Sequence, residues 1–154
     1  MSRTNLTCCR ADRAVQVGQG EGWRLAFDPL RQPFPVLVGG RHWAAELSRA
    51  EAHVLQGAVA RLVQQHAGLV DQLMAEEALS LELETPLDGG QLWLVLEGDR
   101  SRWSLGFVLT PEAGVRGLEG HWEAGATAAF AAALAALRLA PAEPDELGAS
   151  HCSI

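Results

Sequence analysis

Trp103-Ser104-Leu105-Gly106-Phe107, followed by Gly120-His121-Trp122 and a helix-like segment ending at Leu137, repeats a pattern that the chain has already used once. Trp23-Arg24-Leu25-Ala26-Phe27, then Gly40-Arg41-His42-Trp43 and another helix-like segment, lie about eighty positions earlier in the same order. Two matched landmarks at nearly one spacing predict a strand, strand, helix unit used twice. Strands gathered before each helix, rather than alternating with helices one by one, make the expected class α+β, with internally duplicated antiparallel sheet-plus-helix units.

Working outward from the first copy, Trp23, Leu25 and Phe27 share one face of a half-buried strand while Arg24 and Ala26 take the other. Val36-Leu37-Val38 is a short strand turning at Gly39-Gly40, and His42 to Leu47 leads into a helix. Ser48-Arg49-Ala50-Glu51 has the form of a capping box, in which Ser48 accepts from the Glu51 amide and Glu51 reaches back to the Ser48 amide. Behind it Val54/Leu55, Ala58/Val59, Leu62/Val63, Leu69/Val70 and Leu73/Met74 mark one apolar stripe, which predicts a helix to about Glu77 unless Gly68 interrupts it.

From Leu79 the period changes to two, with Leu79, Leu81 and Leu83 alternating with Ser80, Glu82 and Glu84. Strands at Leu92 to Glu97, Trp103 to Leu109 and Val115 to Trp122 complete an expected four-stranded antiparallel meander. An Ala-rich helix follows, with Phe130, Leu134 and Leu137 on one face and Pro141 as its stop. Each helix is expected to fold back on the sheet before it. One domain is expected over residues 15–140, its repeat halves at about 20–77 and 79–140, with polar tails at 1–14 and 141–154.

The 154 residues, 48% of them hydrophobic, suffice for one sizeable core. The net charge is −7 and all 12 basic side chains are Arg. The charge is uneven: residues 1–75 hold 8 Arg against 6 acids, residues 76–123 hold 3 against 10, and residues 124–154 hold 1 against 3. This balance works against a nucleic-acid binder, which neutralises phosphates with a basic face. Three cysteines, Cys8, Cys9 and Cys152, fit a reducing compartment. With His151 they make a conceivable zinc set, but neither pair has the spacing that lets both side chains reach one metal. With no apolar run at the N-terminus and no stretch long enough to span a bilayer, the expectation is a soluble, cytoplasmic protein without a cofactor.

The runs Gly20-Glu21-Gly22-Trp23-Arg24-Leu25, Pro33-Phe34-Pro35-Val36-Leu37-Val38-Gly39-Gly40, Trp43-Ala44-Ala45-Glu46-Leu47, Gln72-Leu73-Met74-Ala75-Glu76-Glu77, Leu96-Glu97-Gly98-Asp99-Arg100 and Arg116-Gly117-Leu118-Glu119-Gly120 resemble a cyanobacterial family of unknown function. The resemblance covers about Gly20 to Leu137. It implies a fold similar to single-stranded-DNA-binding transcriptional regulators of the Whirly type, built of two sheet-plus-helix halves. It implies no catalytic residue, and a shared fold is not a shared activity.

Three constellations are candidate sites. Arg24, Arg41, Arg100, Arg102 and Arg116, with Trp23, Trp93 and Trp103, are the material for a single-strand groove in which Arg tracks phosphates and indoles stack on bases. The competing expectation is that these indoles are core. Glu82, Glu84, Glu97 and Glu119, with Glu76, Glu77, Asp99 and Glu123 nearby in sequence, form an acidic surface suited to a basic protein partner. His42 and His121 occupy matching places before a Trp and could pair around a metal, although burying Trp43 and Trp122 turns both imidazoles to solvent. No catalytic constellation is apparent. The favoured function is therefore a non-enzymatic protein-interaction or regulatory module. A single-stranded DNA or RNA-binding regulator is the alternative, and a small-ligand binder or enzyme of unknown class the second alternative.

Overall fold

The computed structural model describes residues 14–112 and 116–139. The chain runs β1 (Gln16–Gly20), β2 (Trp23–Phe27), β3 (Val36–Gly40), β4 (Ala44–Leu47), α1 (Arg49–Leu69), a 3₁₀ turn (Val70–Gln72), β5 (Leu79–Leu87), β6 (Gly90–Gly98), β7 (Trp103–Thr110), β8 (Leu118–Trp122) and α2 (Thr127–Ala136). Two four-stranded sheets, β1-β2-β3-β4 and β5-β6-β7-β8, are antiparallel throughout. The class is α+β, and the second meander is as the sequence predicts.

The first sheet has one strand more than expected. Gln16–Gly20 pairs with all of β2, Gln16 opposite Phe27 and Gly20 opposite Trp23. It is glycine-rich and carries a single large apolar residue, Val17, which faces solvent, so it has almost no signature of its own. A reciprocal clasp holds it from outside the sheet: Gln16 Nε2 donates to Arg138 O at 3.1 Å and Arg138 N donates to Gln16 Oε1 at 3.0 Å.

The four-strands-then-helix order occurs twice, yet the sequence landmarks do not occupy equivalent places. Trp23 opens the second strand of its sheet whereas Trp103 opens the third; Trp43 lies in the turn before β4 whereas Trp122 ends β8. The covering helices also depart from expectation. α1 packs chiefly on β5 and β6, with lesser contact to β4, and α2 packs chiefly on β1 and β2, with lesser contact to β7. Each helix thus dries the sheet of the other half.

The capping box of α1 is present as read from the sequence. Ser48 Oγ accepts from Glu51 N at 3.1 Å, and Ser48 N donates to Glu51 Oε1 at 2.7 Å. The helix stops at Leu69, short of Glu77. Helices of this kind persist while they have a face to bury, and the last buried side chain is His66; Met74 is exposed and the Met74–Glu77 segment closes on itself as a turn. His66 Nε2 donates to Asp99 O at 2.9 Å, fixing the helix end to the β6–β7 turn.

One core joins both halves. Leu25, Phe27, Val36, Val38 and Leu47 from the first sheet meet Leu92, Leu94, Leu96, Leu105, Phe107 and Trp122 from the second, with Leu55, Leu62, Phe130 and Leu134 from the helices. Trp122 stacks on Phe130 with centroids 3.9 Å apart, and Trp23 meets Phe130 edge-on at 6.3 Å. Gln56 of α1 donates to Leu134 O and Leu137 O at 2.9 and 2.8 Å, tying α1 to the end of α2, where Leu134 O also accepts from Leu137 N at 3.2 Å. Strand ends also shift: β4 begins at Ala44 rather than His42, β5 continues through Pro86 to Leu87, and β8 begins at Leu118 within the described residues. The expectations for residues 1–13 and 140–154, including the Cys8, Cys9, His151 and Cys152 set, lie outside the described residues.

Candidate functional site

The five candidate arginines do not line one groove. Arg24 lies exposed on the outer face of β2 and crosses Gly39. Arg41, in the β3–β4 turn, pairs with Glu123 at 3.3 Å and Glu21 at 3.7 Å. Arg100 and Arg102 are exposed in the β6–β7 turn. That turn is organised by Asp99, whose Oδ1 accepts from the amides of Arg102 and Ser101, both at 2.8 Å, and from the Ser101 hydroxyl. These bonds, the Arg102 amide first, hold its carboxyl below the usual carboxylate range.

Arg116 is structural and unavailable to a phosphate. Its guanidinium donates to both carboxylate oxygens of Glu51, at 2.7 and 3.2 Å, and to Glu46 O at 2.8 Å, and lies over the Phe34 ring at 4.1 Å. Burial opposes ionisation of Glu51 and is the largest influence on it. The guanidinium and the Ser48 amide nevertheless prevail, holding its carboxyl below the ordinary value. Placing Arg116 with the surface arginines is therefore corrected: a buried carboxylate has drawn it inward.

His42 and His121 are both exposed, beside a half-buried Trp43 and a buried Trp122. What the fold brings together is their neighbours. Trp43 and Trp122 approach to 5.0 Å at 62°, and each indole crosses to the other half: Trp43 Nε1 donates to His121 O and Trp122 Nε1 to Gly39 O, both at 2.9 Å. Among the described residues no three His, Cys, Asp or Glu side chains come together as a metal set, and every buried side-chain nitrogen or oxygen has a partner.

The acidic set forms a surface. Leu92, Leu94 and Leu96 point into the core, so Trp93, Val95 and Glu97 point out. By register, Glu84 sits opposite Trp93, Trp93 opposite Val108, and Val108 opposite Glu119, one row across all four strands. The next row is Glu82, Val95, Gly106 and His121. Glu82, Glu84, Glu97 and Glu119 are exposed, and among the described residues none of them pairs with an Arg. Trp23 and Trp103 pack against the core as expected, whereas Trp93 is absent from it. The signal was legible: in a strand where Leu92, Leu94 and Leu96 share one side, the intervening Trp must face the other way.

Comparison with known proteins gives a family without an activity. A crystal structure of a protein with unknown function from Prochlorococcus sp. NATL2A superposes with a TM-score of 0.72 at 33% identity, covering 80% of this chain and 98% of that one. It is described as a member of DUF155, a label different from the one this chain matches. No curated protein matches the chain. Residues 18–137 match the domain of unknown function DUF1818, and the chain belongs to that family.

Proposed function

We propose that this chain is a non-enzymatic protein-interaction module, and that the outward indole of Trp93 is the observation that carries this reading. The solvent face of an antiparallel sheet is ordinarily polar. Here a partly exposed Trp lies between Val95 on its own strand and Val108 on the next, and among the described residues the helix on this strand, α1, packs on the opposite, leucine face. Trp is enriched where protein partners bury surface, because it brings a large apolar area at little entropic cost.

The order of four strands and a helix, used twice, supports the likeness to Whirly-type regulators and keeps single-stranded nucleic acid as the second reading. Arg24, Arg41, Arg100 and Arg102 are exposed and favour it. Their scatter, the pairing of Arg41 with two carboxylates and the internal use of Arg116 weigh against it.

Two assays on the purified chain decide between them. Immobilised protein is expected to retain a defined protein from its host's extract at near-equal stoichiometry, and Trp93→Ser to lose it. No binding of a mixed-sequence single strand of about 30 nucleotides is expected at micromolar protein, where non-specific binders show dissociation constants of ~10⁻⁴ to 10⁻⁶ M. Salt-sensitive binding of the strand, lost in Arg100→Ala/Arg102→Ala, overturns the interaction reading.

A further inference from the structure

We propose that the outer face of the second sheet docks a basic, extended segment of another protein, with Trp93 and Val108 covered by an apolar side chain and Glu84 and Glu119 each meeting a cation. The proposal rests on the interaction reading and specifies its partner.

Neighbouring strands lie about 4.8 Å apart, so the row Glu84, Trp93, Val108, Glu119 sets its two carboxylates about 14 Å from one another across an apolar middle. An extended chain advances about 3.3 Å per residue. Four residues therefore cover nearly the same span, and positions i, i+2 and i+4 share one side of such a segment. The matching ligand is Arg or Lys, any residue, an apolar residue, any residue, then Arg or Lys again. Glu82 lies on the adjoining row and Glu97 one row beyond it, and both extend the negative field. No Arg stands on the outward positions of β5 to β8, and the only titratable group there besides the carboxylates is His121.

The indole adds a second attraction for the same chemistry. A guanidinium within about 6 Å of a Trp ring is drawn to its face, more strongly once water is excluded. A ligand of like charge, such as a nucleic acid strand or an anionic bilayer, is repelled by the same four carboxylates. Gly106, between Val95 and His121, keeps the floor low enough for a side chain to reach it; a Cβ there would already touch Val95 and His121 at 3.4 and 3.6 Å.

The test uses the full chain and a fluorescein-labelled peptide, Gly-Arg-Thr-Val-Thr-Arg-Gly, read by anisotropy, beside peptides with Glu for both Arg and Ser for the central Val. Saturable binding of the first alone is expected, weakening with salt. Glu84→Gln/Glu119→Gln and, separately, Trp93→Ser are each expected to weaken it about tenfold while circular dichroism stays unchanged. Equal binding by both variants, or no binding of the Arg peptide, overturns the proposal. Loss of self-association in Trp93→Ser, seen by sedimentation, assigns the face to a second copy and overturns it as well. Tighter peptide binding after deletion of residues 1–13, which carry Arg3, Arg10 and Arg13, assigns it to the chain's own N-terminal segment with the same consequence. If the peptide fails while Trp93-dependent capture of a host protein persists, the basic chemistry is wrong and the interaction reading stands.

Discussion

Glu51 and Arg116, 65 residues apart, form a two-pronged ion pair at the point where the long helix begins. The same carboxylate closes the capping box with Ser48, so the start of α1 and the approach to β8 are fixed by one side chain. Arg116→Ala leaves Glu51 buried without its cation and uncovers Phe34. The expected loss is about 3 kcal/mol, the range found when one partner of a buried pair is removed, measured as a shift of the urea midpoint at constant slope.

The same pair gives a pH signature. The folded pKa of Glu51 is lowered, so its contribution is complete above the unfolded glutamate value of ~4.3 and is lost as the pH falls through the folded value. Stability therefore falls with acid in that window. Glu51→Gln is expected to flatten this limb, read from urea midpoints between about pH 6 and about pH 3; an unchanged slope would show that other carboxylates carry the dependence.

Ser48→Ala removes the acceptor for the Glu51 amide at the first turn. A loss of about 1 kcal/mol is expected, as for helix caps generally. A thermal midpoint equal to that of the parent would contradict the cap's role.

The two crossing indole bonds should be unequal. Trp122→Phe removes a hydrogen bond and part of the ring at a fully buried site and is expected to cost about 2 kcal/mol, whereas Trp43→Phe frees the carbonyl of exposed His121 to water and should cost under about 1 kcal/mol. Paired chemical denaturation of the two variants checks the order.

Two glycines should respond with opposite sign. A Cβ at Gly120 would run into Trp43 and Phe107, so Gly120→Ala is expected to lose about 2 kcal/mol by overpacking. Gly57 is exposed in the middle of α1 with open space around it, and Gly57→Ala should gain about 0.8 kcal/mol in helix propensity. Both are single thermal-melt comparisons.

Much of this fold is written locally. The cap at Ser48, the Leu79-Leu81-Leu83 alternation and the order of β5 to β8 depend on residues close in sequence, and each was legible there. β1 was not, because a strand of Gln, Val and Gly draws its stability from β2 and from the clasp with Arg138. Nor was the end of α1, since the apolar stripe outruns the surface available to cover it. At the surface, the acidic residues were identified as a set, but assigning Trp93 to the core overlooked the leucines flanking it, which claim the inward side. Arg116 could not be distinguished from its exposed counterparts without knowing that Glu51 waits beneath it.

Because α1 lies on β5 and β6 while α2 lies on β1 and β2, neither half owns the helix that shields its sheet. A gene encoding one such half would produce a chain obliged to find a second copy and trade helices with it, the arrangement of a domain-swapped dimer. Joining the two in one polypeptide makes that exchange independent of protein concentration. It also releases the halves from having to be identical, and a strongly acidic face on the second sheet beside a nearly neutral first sheet is an asymmetry of charge that no symmetric pair could adopt.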